Sequence, residues 1–466
     1  MLIRPADLDG AAWDMDDKAR DACGIVGIYG IKEAAQLAVL GLHALQHRGQ
    51  ESAGIVSCNA GNLYSHRGMG LVSNVFGQGE AQKLPGNFAI GHVRYSTAGG
   101  SNIVNAQPLL ALYSGGEIAL AHNGNLAGGD SLRRKLLEQG ALLQTGSDSE
   151  FFLHLLAQQQ ATAEEQIAGV LEQAGAAFSI LILTDKRMIA ARDPWGFRPL
   201  ALGRLGDGFV AASESCAFDQ MGATFEREID PGEMLTFTPG GYRSTFFGKR
   251  GARKRNCLLE LIYFARPDSF VFGRFPHIFR RQSGHILARE HPAEADMVVA
   301  IPDSGFSAAM GYAEELNMTM DRGIIRNHYI GRSFIAPGQA ARATAVRMKH
   351  NVVREVVKGK RLALIDDSLI RGTTTAALGK ELRDAGATEV HLRIACPPTR
   401  HPCLYGVDFP HYTELMAYRH SIDEIKSTLN MDSLGYLSIE GIAGILGEDG
   451  ADYCTACWTG EYLAGP

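Results

Sequence analysis

The sequence predicts an α/β protein of two domains. Its 466 residues are about three times the length of a typical domain of roughly 150 residues. Residues 23 to about 245 alternate short β-prone runs with glycine-rich turns and a few helical stretches, which indicates a domain of mixed layers. From about residue 296 the order becomes strand, loop and helix in repetition, which is typical of a buried parallel sheet. The predicted boundaries are 1–22 for an acidic leader, 23–250 for the first domain and 251–466 for the second.

Composition excludes several classes of protein. The chain is 45% hydrophobic and 21% charged, which suits buried cores and argues against a disordered chain. A net charge of -6 gives no overall attraction for nucleic acid or for anionic lipid, and no stretch approaches the ~18 apolar residues of a membrane span. The leader lacks the apolar segment of a secretory signal. The eight cysteines are therefore interpreted as thiols, metal ligands or nucleophiles of a cytoplasmic protein.

A phosphate-binding loop is predicted in the second domain. An apolar strand over 362–365 ends in two adjacent carboxylates, Asp366 and Asp367, at the edge where open α/β sheets bind ligands. Such carboxylates suit sugar hydroxyls and Mg²⁺. The loop that follows opens a helix and offers a glycine, hydroxyls and backbone amides to phosphate oxygens: Arg371, Gly372, Thr373, Thr374 and Thr375. It is not a Walker loop, and the structural alternative is a threonine-capped helix after an acidic pair.

This string resembles the loop that binds phosphoribosylpyrophosphate (PRPP) in type I phosphoribosyltransferases. The resemblance implies a doubly wound parallel sheet, with Asp366 and Asp367 on the ribose hydroxyls and residues 371–375 around the 5′-phosphate. It also implies that Ser304, in the pyrophosphate-side loop, joins both aspartates at a Mg²⁺ site. Residues 331–351 resemble the family's mobile loop. Its basic side chains are interpreted either as pyrophosphate ligands or as a solvated basic surface: Arg332, Arg342, Arg347 and Lys349.

Cys23 is the candidate nucleophile of the first domain. It begins the first predicted strand directly after the leader. If the leader were removed, its α-amine, with a reference pKa of ~7.7 to 8.0, would serve as the general base for its own thiol. Taken alone, a cysteine before a glycine is more typical of a small core residue.

Four further segments occur in a fixed order after Cys23: 47–54 (HRGQESAG), 91–97 (GHVRYST), 122–126 (HNGNL) and 145–150 (TGSDSE). Together with the cysteine they resemble the class II, N-terminal-nucleophile glutamine amidotransferases. The resemblance implies an αββα glutaminase domain. It further implies that Arg94 binds the glutamine α-carboxylate and Asp148 its α-ammonium group. Asn123 and the Gly124 amide would form the oxyanion hole.

The chain as a whole resembles the amidophosphoribosyltransferase family, in its Bacillus-like iron-sulfur subgroup. The spacing Cys454-x-x-Cys457 alone is a weak signal, compatible with zinc, redox chemistry or chance. The resemblance adds Cys257 and Cys403 and implies a [4Fe-4S] cluster on these four thiolates. Tetrahedral Zn²⁺ stays open as the alternative, because ligand type alone does not separate the two.

The resemblance implies glutamine-dependent synthesis of 5-phosphoribosylamine from PRPP, with release of glutamate and pyrophosphate, as the first committed step of purine biosynthesis. Residues 260–269 would couple the two sites. Purine nucleotides are the expected feedback inhibitors and a homotetramer the expected assembly, without nucleic-acid or membrane partners. The alternative function is a PRPP-sensing regulator, which would need no glutaminase residues.

Overall fold

A computed structural model describes residues 23–95, 100–126, 129–160, 164–175, 177–248, 253–328, 350–409 and 411–463. The predicted leader and the basic side chains of the predicted mobile loop lie outside these residues: 1–22, Arg332, Arg342, Arg347 and Lys349. Within the described part, the chain divides into two compact units. The first unit comprises residues 23–279, 402–409 and 446–463, and the second comprises 280–401 and 411–445.

The first unit contains two antiparallel sheets. The seven-stranded sheet has the order β11-β9-β10-β1-β4-β2-β3. Its strands are β1 Gly24–Tyr29, β2 Ser52–Asn59, β3 Asn62–Met69, β4 Phe88–Arg94, β9 Ala201–Leu205, β10 Gly208–Ala212 and β11 Thr224–Glu228. The six-stranded sheet has the order β13-β12-β8-β7-β6-β5. Its strands are β5 Leu109–Tyr113, β6 Gly116–Asn125, β7 Ala177–Thr184, β8 Met188–Arg192, β12 Glu233–Thr238 and β13 Gly241–Phe246.

Helices cover the outer face of each sheet. The seven-stranded sheet carries α1 Ala34–Ala44, α2 Val72–Val75 and α6 Cys216–Met221. The six-stranded sheet carries α3 Gly129–Glu138, α4 Ser149–Gln158 and α5 Glu164–Gln173. A third core lies between the sheets. Strand β1 is apolar on both faces because Ile25 enters this central core while Val26 packs under the helices. The predicted αββα architecture is confirmed.

The second unit contains a five-stranded parallel sheet of order β16-β15-β19-β20-β21. Its strands are β15 Met297–Ala300, β16 Met320–Asp321, β19 Arg361–Asp366, β20 Glu389–Ile394 and β21 Ser433–Tyr436. Two further strands, β17 Ile324–Arg326 and β18 His350–Val352, pair only with each other. The remaining helices up to residue 446 are α7 Pro276–Glu290, α8 Phe306–Glu315, α9 Arg354–Val357, α10 Thr373–Asp384, α11 Met416–Arg419, α12 Ile422–Thr428 and α13 Ile439–Leu446. Strand order reverses between β15 and β19, so the predicted ligand-binding edge lies at this switch point.

The division of the chain differs from the predicted boundary at residues 250 and 251. Residues 253–279 and the tail 446–463 belong to the first unit, as does the segment 402–409. The physical reason is a two-residue parallel pairing of β14 Asn256–Cys257 with β22 Tyr453–Cys454, which is followed by α14 Ala456–Thr459. The tail therefore buries its apolar side chains in the first unit rather than on the parallel sheet.

Over the described ranges, no helix is both long enough and apolar enough to cross a lipid bilayer.

Candidate active sites

Cys23 lies at the start of β1, where its side chain is 6% exposed. Its backbone adopts a φ of 65°, and its Sγ lies 3.6 Å from the carbonyl oxygen of Tyr95. The guanidinium of Arg48 donates from Nε to the Cys23 carbonyl over 3.0 Å. Gly24 pairs with Val93 in β4, so the candidate nucleophile is placed beside the carboxyl end of that strand.

Arg94 and Asp148 are a buried cation and a buried anion. Arg94 ends β4, is 3% exposed and donates from Nη1 to the carbonyl of Gly100 over 2.9 Å. The Asp148 carboxylate precedes α4 and accepts from the backbone amide of Leu126 over 2.9 Å. Asn105 bridges the two segments, because it donates to the Gly100 carbonyl and accepts from the Gly146 amide. The two side chains offer opposite charges of the kind that would hold an amino acid's carboxylate and ammonium groups.

Asn123 and Gly124 lie near the end of β6, the strand beside β7. The Asn123 side chain is fully buried, and within the described part of the chain neither its Nδ2 nor its Oδ1 has a hydrogen-bond partner. A buried amide without partners costs about 1–3 kcal/mol, so its retention points to a ligand-facing role. Gly124 has a φ of 153°, and a Cβ atom there would lie 2.0 Å from the Ala177 carbonyl oxygen. Only glycine fits this position.

Two buried histidines join the ends of β4 and β6. His92 Nε2 lies 3.1 Å from the carbonyl oxygen of His122, and His122 Nδ1 lies 3.0 Å from the Ser149 hydroxyl. Burial lowers the pKa of His92 to about 3 and also lowers the pKa of His122. Both rings are therefore neutral near pH 7. Because this contact links the two sheets, it brings the end of β4, with Cys23 beside it, towards Asn123.

Sequence reasoning missed a buried ion cluster behind Cys23. The guanidinium of Arg48 contacts Glu214 and also Glu260, the latter over 2.7 Å, and Arg198 contacts Glu260 over 3.0 Å. Burial acts to raise the pKa of Glu214, but His47 and Arg48 outweigh it and hold that pKa well below its usual range. Arg48 and Glu260 lie in segments that the resemblance had identified. Glu214 gives no sequence signal, because only the fold brings it to its partners.

The second candidate site lies at the carboxyl end of β19. Asp366 and Asp367 are 2% and 1% exposed, and Asp366 Oδ1 accepts from the Asp367 amide over 2.9 Å. A Cβ atom at Gly305 would lie 2.7 Å from the Ile365 carbonyl oxygen, so the loop that contains Ser304 packs directly against the end of β19. The structure thus brings the three predicted Mg²⁺ residues to one edge of the parallel sheet.

The predicted phosphate loop opens α10. Gly372 has a φ of 80° and precedes Thr373, Thr374 and Thr375, which form the first helical turn. The guanidinium of Arg371 pairs with Glu414 over 2.6 Å. A cavity of about 420 Å³ lies beside the pyrophosphate-side loop. Its lining includes Asp303, which pairs with Arg326 over 2.8 Å.

The four candidate cluster cysteines all belong to the first unit. Cys257 and Cys454 are register partners of β14 and β22, and Cys403 Sγ accepts from the Tyr405 amide over 3.3 Å. Cys457 lies in α14. Burial raises the pKa of Cys454 to about 12, and burial together with the neighbouring thiols raises that of Cys257. In the described chain, no set of three or more His, Cys, Asp or Glu side chains is placed to hold a metal ion.

Known proteins resemble this chain in sequence over nearly its full length. Residues 92–220 match the family model of a glutamine amidotransferase domain. The amidophosphoribosyltransferase of Bacillus subtilis strain 168 is 46% identical over 448 residues, which cover 95% of this chain and 94% of the relative. The chain belongs to the amidophosphoribosyltransferase family. The relative from Methanothermobacter thermautotrophicus is 44% identical over 454 residues, 96% of this chain and 95% of its own.

Solved structures of this family agree with the fold. The B. subtilis glutamine PRPP amidotransferase complexed with ADP and GMP superposes with a TM-score of 0.89 at 46% identity, covering 94% of this chain and 97% of the other. A structure described as the allosteric regulatory enzyme of purine biosynthesis gives a TM-score of 0.90 at 47% identity, over 94% and 96% of the two chains. These comparisons confirm the predicted two-domain α/β fold and the enzyme class.

Proposed function

We propose that this chain synthesises 5-phosphoribosylamine from PRPP with glutamine as the nitrogen donor, as the first step of purine biosynthesis. The observation that carries the proposal is the presence of two distinct sites on one chain. The first unit holds Cys23 and Arg94 at adjoining ends of β1 and β4, and it holds the Asn123 amide, which has no hydrogen-bond partner among the described residues. The second unit holds Asp366 and Asp367 at the switch point of a parallel sheet.

In the glutaminase reaction, Arg94 and Asp148 would hold the glutamine backbone while the Cys23 thiolate attacks the side-chain amide carbon. The Cys23 α-amine would take the thiol proton and pass it to the leaving ammonia, which requires removal of residues 1–22. The Asn123 Nδ2 and the Gly124 amide would donate to the oxyanion. Burial keeps His92 and His122 neutral, so neither imidazole adds a positive charge to this site. Water then hydrolyses the thioester and releases glutamate.

In the second unit, Asp366 and Asp367 would bind the ribose hydroxyls of PRPP, and residues 372–375 would donate to its 5′-phosphate from hydroxyls and helix amides. The chain would thereby hold C1 of the sugar in place for attack by ammonia as pyrophosphate leaves. The Ser304 and carboxylate oxygens are hard ligands that suit Mg²⁺, which would offset charge on the leaving group. The Arg371 pair with Glu414 makes Arg371 the least direct of the proposed phosphate ligands.

The four cysteines are proposed to hold a [4Fe-4S] cluster, with Zn²⁺ as the alternative. The four cysteines come from three chain segments of the first unit, and Cys257 and Cys454 are register partners there. Burial of Cys257 and Cys454 disfavours free thiolates, which a bound metal cation would stabilise. Such a group would cross-link β14, the segment 402–409 and the tail.

The regulation, oligomeric state and cellular location of the protein are proposed from its family. ADP and GMP occupy the B. subtilis relative, which supports purine nucleotides as feedback inhibitors here. A homotetramer and a cytoplasmic location are proposed from the family resemblance.

The decisive experiment separates the two half-reactions. Cys23→Ala should abolish glutamine-dependent pyrophosphate release from PRPP and leave ammonia-dependent release largely intact. Asp366→Asn should impair both, because both use the same PRPP site. Loss of both activities in a folded Cys23→Ala protein would contradict the two-site assignment. PRPP binding by the wild-type chain without any pyrophosphate release would favour the PRPP-sensing regulator instead.

A further inference from the structure

The segment 403–409, called here the Cys403 loop, contacts the proposed oxyanion strand β6. The Asn125 side chain donates from Nδ2 to the carbonyl oxygen of Leu404 over 3.0 Å. Both residues belong to the first unit. Asn125 directly follows Gly124, whose amide is the proposed oxyanion donor. The loop therefore holds the chain one residue away from that donor.

Gly406 brings the Cys403 loop even closer to Gly124. A Cβ atom at Gly406 would lie 3.1 Å from the carbonyl carbon of Gly124, 3.3 Å from the Asn125 nitrogen and 2.9 Å from Arg198 Nη2. On its other side, Gly124 is pressed against β7, since a Cβ atom there would lie 2.0 Å from the Ala177 oxygen. The Gly124 peptide is thus clamped between β7 and the Cys403 loop.

The loop is itself held by the cysteine core. Cys403 Sγ accepts from the Tyr405 amide over 3.3 Å, and the Tyr405 ring stacks on Phe197 at 4.1 Å between centroids. Tyr405 shares this small core with Ala177, the β7 residue against Gly124. The tail closes the core, because the Leu463 amide donates to the Tyr405 hydroxyl over 2.9 Å. The two segments that flank Gly124, which are β7 and the Cys403 loop, therefore both pack into the small core that Cys403 and Cys454 also contact.

We propose that the Cys403 loop positions the Gly124 amide for oxyanion binding and thereby sets the rate of glutamine hydrolysis. Gly406 and Cys403 act as positioning residues, since neither touches the substrate. The proposal rests on the glutaminase function proposed above. It assigns to the cysteine core a role in the geometry of the first site.

The test is Gly406→Ala in the full-length chain. The added methyl group would crowd Arg198 Nη2 and the Gly124–Asn125 peptide, so this peptide and the loop must separate by a few tenths of an ångström. We expect about a 10-fold fall in kcat for glutamine with KM unchanged, because oxyanion contacts act in the transition state. Ammonia-dependent synthesis should be unaffected. Gly240→Ala is the matched control, since Gly240 also has a positive φ, of 83°, but a Cβ atom there meets nothing within 4 Å.

Hydrogen exchange gives a readout that does not depend on activity. The amides at the end of β6, including Asn125, should exchange faster in Gly406→Ala than in Gly240→Ala. Cys403→Ser should produce the same local change, whereas Cys58→Ser, in the core between the two sheets, should not. If Gly406→Ala proves unstable, Asn125→Ala removes only the partly exposed bond to Leu404 and should still lower kcat about 3-fold with KM unchanged.

The outcomes separate this inference from the proposed function. A wild-type chain that hydrolyses no glutamine contradicts the proposed function. A wild-type chain that does hydrolyse glutamine, with unchanged kcat and unchanged β6 exchange in Gly406→Ala and Asn125→Ala, overturns the positioning role alone. A rise in KM without a fall in kcat also overturns it, because the Cys403 loop would then act on glutamine binding.

Discussion

Replacing Asn123 by leucine should stabilise the protein and disable its glutaminase reaction. Leucine has the same number of side-chain heavy atoms as asparagine and the same branch point at Cγ, so the substitution replaces the polar atoms without changing the connectivity of the side chain. The Asn123 amide is fully buried, and both of its polar atoms lack partners within the described residues. The side chain therefore carries a desolvation cost that the fold alone does not repay.

The substitution should raise the stability of the protein and lower its glutaminase activity. Burial of an unpaired amide costs about 1–3 kcal/mol, so Asn123→Leu should raise the free energy of unfolding by about 2 kcal/mol. At roughly 2–4 °C per kcal/mol for a unit of this size, Tm should rise by about 4–8 °C. Loss of one oxyanion donor should lower kcat for glutamine by about 10²–10³.

Thermal unfolding and steady-state kinetics together measure both effects. Asn105→Leu is the matched control, because Asn105 is equally buried but its amide donates to the Gly100 carbonyl and accepts from the Gly146 amide. The control should lower Tm, since it removes both bonds and deprives the buried Gly146 amide of its acceptor, while the Gly100 carbonyl keeps the bond from Arg94. A lower Tm for Asn123→Leu, or an unchanged kcat for glutamine, would refute the assignment of Asn123 to the oxyanion hole.

Three further predictions concern the N-terminus, pH and metal. Mass spectrometry of active enzyme should give a chain that starts at Cys23, and full activity with residues 1–22 retained would contradict the amine-base mechanism. The pKa of His92 is about 6.5 unfolded and about 3 folded, so protonation favours the unfolded chain and stability falls as pH drops below 6.5. Between pH 8 and pH 5, denaturation midpoints should show a loss of about 2 kcal/mol in the free energy of unfolding that is absent from His92→Gln. Equal losses in the two proteins would contradict this prediction. Anaerobically purified protein should contain about four iron and four sulfide per chain. Cys454→Ser should lower iron content and Cys216→Ser should not, whereas stoichiometric zinc without iron would reject the cluster.

Local motifs predicted much of the fold and of the site. Cys23 with the segments 91–97 and 122–126 could be recognised because each carries its chemistry within a few adjacent residues. Asp366 and Asp367 could be placed because they follow an apolar strand whose end must lie at the ligand-binding edge of a parallel sheet. In both cases the local sequence pattern indicates the position that the segment takes in the fold.

Long-range contacts could not be predicted from the sequence. The pairing of β14 with β22 joins two-residue strands about 200 residues apart, too short to produce any periodicity. The sequence pattern therefore gives no signal that the tail packs in the first unit. Glu214 is likewise an isolated acid in the sequence, and only the fold places it between His47 and Arg48.

The split first unit has a consequence for synthesis on the ribosome. Residues 280–401 and 411–445 form a complete second unit, whereas the first unit still needs 446–463 to close the core around Tyr405. The unit that contains the proposed nucleophile Cys23 is thus begun first and completed last. A growing chain therefore contains the unit proposed to consume ammonia before the unit proposed to produce it is closed.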